Sequence, residues 1–325
     1  MPMYRVLITS KYLQQPEEHA RIDHYLRSHE IEPVYQRCLT EADLLEALPE
    51  IDALICSPVP VTTRVLEANP RLKVIVRTGV GYDTVDLQAA NARHIPVCIT
   101  PGANRLSVAE LTLGLMLSIA RNFNQQMNAV QQGEWKPIMG SELAGKTLGL
   151  VGFGQIGKAV AQRARAFEMK LLAADPYPDL EFASAYDVTL TTLKELLAES
   201  DFVSLHLFLN AENRHLINAE RLALMKPTAY LINTARGGIV DSEALFNALQ
   251  SKKIAGAALD VIDPEPPGNS PLLGLSNVLF TPHTGAATNE YRERSAQMAA
   301  ESVVAALRGE RPANLVNPEI YKENN

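Results

Sequence analysis

"TLGLVGFGQIGKAVAQRARAFEMKLLAADPYP", Thr147–Pro178, runs from an apolar stretch through glycines at 152, 154 and 157 into a helical pattern, a second apolar stretch and Asp175. Three glycines at this spacing are a weak signal alone. Here they follow a strand pattern, open a helix and lead through another strand to an acid, which is what a βαβ dinucleotide fold requires. Gly152 would permit the tight turn, Gly154 would let the main chain approach a pyrophosphate, and Gly157 would let helix and strand pack closely. The N–H groups and positive end of that helix would then face the phosphates. Asp175 would accept hydrogen bonds from adenosine ribose hydroxyls and repel a 2′-phosphate. No arginine follows in Pro176-Tyr177-Pro178, so the expected cofactor is NAD and not NADP.

Outward from this stretch, β-branched runs alternate with helical patterns. "YRVLIT", "DALIC", "LKVIVRT" and "PVCIT" precede it, and "DFVSLHL", "AYLIN", "IAGAALDV" and "VLFTP" follow, with helical segments such as 19–28 and 85–93 between strands. That alternation predicts parallel sheets in an α/β protein. Two such series in 325 residues imply two domains, with a boundary in the interval 101–145. The run from about Arg105 to Arg121 predicts a long apolar helix, buried or at an interface. Glu110 lies inside it, and it is too short to span a bilayer. A polar stretch, 122–139, follows with the only tryptophan, Trp135. Which domain takes the long helix and the final one, about 289–307, cannot be read from periodicity.

A hydrophobic share of 46% and a charged share of 21% predict a globular protein with sizeable cores. A net charge of -7 argues against nucleic acid or an anionic membrane as partner. The three cysteines, Cys38, Cys56 and Cys98, form no disulfide or zinc spacing and fit a reducing cytoplasm; the N-terminus shows no signal-peptide pattern. No metal site is expected.

Ligands of open α/β sheets sit outside the carboxyl ends of the strands. "AYLINTARGGIVD" places Arg236 just after a strand, "GAALDVIDPEPPG" places Asp260 and Glu265, and "VLFTPHTGAAT" places His283. Each alone is more often structural. Together, beside a dinucleotide loop, they supply what oxidation of a 2-hydroxy acid needs. Arg236 would grip the carboxylate with its planar fork. His283 would move the hydroxyl proton, oriented by Glu265. Asp260 would take a hydrogen bond from the nicotinamide amide, and Pro282 would hold the histidine's corner still.

The chain resembles the D-isomer-specific 2-hydroxyacid dehydrogenases, and within them is most similar to the 3-phosphoglycerate dehydrogenase branch. "ELAGKTLGLVGFGQIG", "NTARGGIVD", "TPHTGAAT", "RTGVGYDTVDL" and "PGANRLSVAELTLGLML" carry the likeness across nearly the whole chain. The resemblance implies that Arg236, Glu265 and His283 are catalytic. Gln155, Ile156, Thr234, Asp175 and Asp260 would line NAD. It also implies two doubly wound domains, Rossmann-like and flavodoxin-like, with a cleft between them: a discontinuous substrate domain, 1–103 plus 290–325, and an NAD domain, 104–289. The long helix and the Trp135 arm would build a homodimer or larger homo-oligomer, and an exposed apolar helix would itself suggest a covered interface. Ser57 and the Gly79-Val80-Gly81 main chain are the candidate substrate contacts in the first domain.

Departures bear on the substrate. Phosphoglycerate enzymes carry an arginine before the serine of the first-domain loop, whereas "ICSPVPVT" has Cys56 there. Leu207-Phe208-Leu209 stands where a proline normally follows the strand, and the chain ends without the regulatory domains of longer relatives. A neutral loop suits a smaller or apolar 2-hydroxy acid. The alternatives are phosphoglycerate itself, a hydroxypyruvate, glyoxylate or phosphonate relative, or an idle NADH-sensing binding protein.

Overall fold

The computed structural model describes residues 3–10, 13, 20–57 and 59–321. The chain forms two compact units, Met1–Asn104 with Ala287–Asn325, and Arg105–Ala286.

The first unit has strands β1 (Tyr4–Ile8), β2 (Ile31–Tyr35), β3 (Ala53–Cys56), β4 (Val74–Arg77) and β5 (Val97–Ile99), ordered β2-β1-β3-β4-β5 and all parallel. This is the doubly wound order whose switch point lies between β1 and β3. The short helices α1 (Ala20–Ser28), α2 (Glu41–Ala47), α3 (Thr63–Ala68) and α4 (Leu87–Ala92) connect the strands. Thr40 caps α2 through a reciprocal box with Asp43. Strand β2 is absent from the sequence reading because Pro33 sits inside it. An edge strand tolerates proline, since one side of its ladder needs no N–H donor.

The second unit begins with α5 (Arg105–Ala120) and α6 (Phe123–Gln131). Its strands are β6 (Thr147–Val151), β7 (Lys170–Ala174), β8 (Val188–Leu190), β9 (Phe202–Leu205), β10 (Tyr230–Asn233), β11 (Gly256–Leu259) and β12 (Val278–Phe280). They form one parallel sheet, β12-β11-β10-β9-β6-β7-β8. Helices α7 (Gln155–Arg165), α8 (Leu180–Ala185), α9 (Leu193–Glu199), α10 (Ala219–Leu222) and α11 (Ser242–Gln250) link them. One core joins α5 and α7 to one face through Leu113, Met116 and Val160; the other seats Leu196, Leu222 and Leu249 on the opposite face. Strands buried on both faces are continuously apolar, which is why runs such as "DFVSLHL", which contains β9, were legible.

The long helix is expected to be buried or at an interface, and the structure takes the first alternative. The long helix α5 shows no exposed apolar face: its exposed positions are Arg105, Glu110 and Gly114, while Val108, Ala109, Leu113, Leu115 and Met116 are buried. Most of α5 therefore belongs to the second unit's core. The polar stretch 122–139 instead contains α6, and the exposed apolar side chains lie there and just beyond it.

The final helix, α12 (Asn289–Leu307), packs on the first unit's sheet. Ala296, Ala299, Ala300 and Val303 meet Val6, Ile8, Val74 and Val76, the small alanines allowing close approach to the strands. Past it, Cys98 bridges Leu315 in antiparallel fashion, and Asn317 is buried with bonds to Val97 N, Ile95 O and Asn91 Oδ1. This segment therefore covers the β5 edge.

Candidate active site

Parallel strands deliver all their carboxyl ends to one edge. Across the second unit's sheet that edge carries, in lateral order, His283 after β12, Asp260 after β11, Arg236 after β10, His206 after β9, Gly152 after β6 and Asp175 after β7. The order reverses between β6 and β9, the switch point at which open sheets bind ligands.

At that point the glycine turn has the shape a pyrophosphate needs. Gly152 has φ +97°, and a Cβ there would stand 2.5 Å from the His206 carbonyl oxygen. A Cβ on Gly157 would stand 2.3 Å from the Gly152 oxygen. By contrast, nothing lies within 4 Å of the Cβ position of Gly154. Gly154 is also the N-cap of α7 without a side-chain cap, so the first-turn N–H groups, Gln155 and Ile156 included, face open space. A dinucleotide phosphate fits that cradle. Asp175 closes the turn: its Oδ2 accepts from Phe153 N at 2.7 Å and its Oδ1 from Tyr177 N at 2.8 Å. Each oxygen keeps a lone pair for a ribose hydroxyl. His206 bonds Ser204 through Nε2 at 2.9 Å, and burial pulls its pKa from 6.5 down to about 3. It is a neutral neighbour of the turn, not an acid–base group.

After β10, Asn233 shapes the loop that carries Arg236. Its Oδ1 accepts from Ala235 N and its Nδ2 donates to Arg236 O, both at 3.0 Å. This asparagine was passed over in the sequence, although an Asn at a strand end is a turn signal. Arg236 is half-buried and donates from Nη1 to Ala235 O at 2.8 Å. Thr234 is buried and shares a hydrogen bond of 3.1 Å with Thr112 of α5.

The histidine corner is held mainly by Asp260. Its Oδ1 accepts from Thr281 Oγ1 (2.5 Å), Thr284 N (2.8 Å) and Thr284 Oγ1 (3.2 Å), and its Oδ2 from Gly285 N (2.8 Å). The His283 N–H donates to Asp260 O at 2.9 Å. Asp260 is 2% exposed, so this carboxylate sits within the corner instead of projecting from it. His283 itself has φ +51°, a left-handed conformation that costs energy for a residue with a Cβ and that the corner's bonds sustain. Its Nδ1 lies 2.7 Å from Glu265 Oε1, with both side chains partly exposed. A carboxylate on Nδ1 selects the tautomer in which Nδ1 carries the proton.

In the first unit, Ser57 follows β3 and is buried, and Gly79 follows β4 with φ +116°. The Gly79 N–H donates to Thr100 Oγ1 at 2.7 Å, so any main-chain substrate contact there falls to Val80 and Gly81. Cys56 closes β3 and is fully buried, with burial pushing its thiol pKa up. Arg77, at the end of β4, is 3% exposed and places Nη1 3.9 Å from that sulfur, while its Nε has no partner. A charge within the apolar "LKVIVRT" was the available signal for it. A separate cavity of about 70 Å³ opens beside Asn122, Gln125, Tyr230 and Asn277, at the amino ends of the strands and away from this edge.

The family model for the D-isomer specific 2-hydroxyacid dehydrogenase NAD binding domain matches residues 113–285. This chain belongs to that family. It is 46% identical over 290 residues to a D-3-phosphoglycerate dehydrogenase of Methanocaldococcus jannaschii, covering 88% of this chain and 55% of that protein. It is 41% identical to a glyoxylate reductase of Korarchaeum cryptofilum, covering 97% and 95% of the two chains. Among solved structures, the TT0316 protein from Thermus thermophilus superposes with a TM-score of 0.87 at 41% identity, over 96% of this chain and 99% of that one. Relatives of both names match at comparable identity.

Proposed function

We propose that this chain interconverts a D-2-hydroxy acid and its 2-keto acid using NAD. The observation that carries the proposal is the 2.7 Å pair between His283 and Glu265, on the same sheet edge as Arg236 and the glycine turn. A bound nicotinamide supplies the hydride acceptor or donor. Everything else falls to the chain. Gly154, Gln155, Ile156 and Gly157 hold the phosphates at the start of α7, Asp175 takes the ribose, and Thr234 and Asp260 line the nicotinamide side. Arg236 binds the substrate carboxylate and polarises the adjacent oxygen. His283 Nε2 takes the hydroxyl proton during oxidation and returns it during reduction, while Glu265 holds the ring and balances its positive charge. In the first unit Ser57, Val80 and Gly81 are assigned to the substrate.

Asp175 supports NAD over NADP, because a carboxylate whose two oxygens already brace the turn would face a 2′-phosphate directly. Cys56 in place of a cation supports a small acid, such as glyoxylate or hydroxypyruvate. Phosphoglycerate is the second reading, favoured by the buried guanidinium of Arg77 beside Cys56. The arrangement also includes a homodimer built on the exposed Phe123, Met127, Val130, Trp135 and Met139.

Mixing the protein with NADH or NADPH and a panel of 2-keto acids, and following the reduced nicotinamide, tests the activity and the cofactor. Turnover of glyoxylate or hydroxypyruvate with NADH is expected. A clear preference for NADPH would remove the assignment of Asp175, and NADH binding without turnover on any acid would make the chain a cofactor-binding protein.

A further inference from the structure

Three neighbouring loops lie side by side on this sheet edge: the one after β9, the one after β10 with Arg236, and the one after β11 with Glu265. The first has no assigned role and runs through Leu207-Phe208-Leu209. It forms a defined turn. Asn210 and Asn213 exchange bonds, Asn210 N to Asn213 Oδ1 at 2.8 Å and Asn213 N to Asn210 Oδ1 at 2.9 Å. The next residue, Arg214, reaches across the middle loop and places Nη2 2.9 Å from Asp263 Oδ2, two residues before Glu265.

Beneath this ion pair lies the glycine pair that follows Arg236. A Cβ on Gly238 would stand 3.0 Å from Arg214 Nη1 and 3.3 Å from Asp263 Oδ2. A Cβ on Gly237 would stand 2.1 Å from the carbonyl carbon of Ile262 and 2.5 Å from Asp263 N. The Arg236 loop is therefore sandwiched, with the Asp263 backbone packed on Gly237 and the ion pair closed over Gly238. Backbone bonds complete the seam: His215 N to Gly238 O at 2.8 Å, and Ile217 N to Ile239 O at 3.0 Å. Ser242 Oγ also donates to Asp263 O at 3.2 Å.

We infer that Arg214 and Asp263 are positioning residues, a strap that sets Arg236 and Glu265 relative to one another. This rests on the proposed catalytic roles of those two residues and of His283. Neither strap residue touches the reacting atoms. An exposed pair contributes little to global stability, but a small displacement of catalytic groups is costly to rate. The signature is thus a loss of turnover out of proportion to any loss of fold.

The test compares Arg214→Ala, Arg214→Lys, Asp263→Asn and the double variant Arg214→Ala/Asp263→Asn, with His283→Ala in parallel. Readouts are kcat and KM for the best keto acid, NADH affinity by fluorescence, and Tm. Arg214→Ala and Asp263→Asn should each lower kcat on the order of tenfold, with NADH affinity and Tm near wild type. The double variant should be no worse than either single one, because both remove the same contact, and Arg214→Lys should recover most of the rate. Wild-type kcat in both single variants, additive losses in the double, or parallel falls in kcat, NADH affinity and Tm would each overturn the strap. If His283→Ala itself stays active, the catalytic reading fails instead, so the two failures are distinguishable.

Discussion

Asp260 shows how one side chain can be decisive without meeting the substrate. Its two oxygens accept four hydrogen bonds from Thr281, Thr284 and Gly285, the residues that surround His283. Asparagine at 260 has the same shape but only one acceptor oxygen, so its NH2 group would oppose a backbone N–H. Asp260→Asn should cost about 1–3 kcal/mol of stability, the penalty for buried groups left unsatisfied. Its kcat should fall further than its NADH affinity, because the corner loosens before the glycine turn does. Urea unfolding and steady-state kinetics check both parts. Retained kcat would place the aim of His283 in Pro282 and not in the carboxylate.

Strand β6, the glycine turn and helix α7 form a unit whose tolerances are set by backbone contact. Gly157→Ala would put a methyl 2.3 Å from the Gly152 oxygen, so α7 must lift away from its strand. Overpacking of this kind costs about 1–3 kcal/mol, and NADH affinity should fall with it, as titration of the reduced cofactor would show. The neighbouring end of β9 makes the element sensitive to acid. Folded His206 takes a proton only near pH 3, whereas the unfolded imidazole takes one near 6.5. Between those values the unfolded chain binds more protons, so this residue lowers stability as pH falls and contributes nothing above 6.5. The slope is at most about 1.4 kcal/mol per pH unit. His206→Asn should flatten the decline of the urea midpoint between pH 6.5 and 3; an unchanged slope would assign the acid sensitivity to carboxylates.

At the scale of the molecule, each unit is closed differently. The first unit is completed by α12 and by the segment around Asn317, which arrive from the far end of the sequence. The second uses the largely apolar α5 as part of its own core. Met127 and Val130 of α6, with Trp135 and Met139 beyond it, are exposed, and the proposed homodimer would be built on them. No single helix is long and apolar enough to cross a membrane among the described residues; α5 and α6 pass that test only as a pair bent by 62°. Met127→Glu with Val130→Glu should convert the proposed homodimer to monomers while leaving NADH binding intact. Light scattering would decide it, and a dimer surviving both changes would move the interface elsewhere.

Read alone, the sequence determined whatever depends on short-range pattern. The glycine spacing before a helix, the apolar strand runs and the polar residues just past them were sufficient to place Gly152, Asp175, Arg236, Asp260 and His283 just past strand ends, since strand and side chain are neighbours in the chain. Edge strands β2 and β8 escaped, because Pro33 in one and the exposed Thr189 in the other interrupt the apolar run while neighbouring strands still supply the hydrogen bonds. Tertiary structure alone decided the rest. That Asp260 braces a corner more than twenty residues away, that α5 is core and not surface, and that Arg77 lies against Cys56 are all long-range contacts. Such contacts arise from the register of parallel strands, and no local periodicity encodes which strand lies beside which.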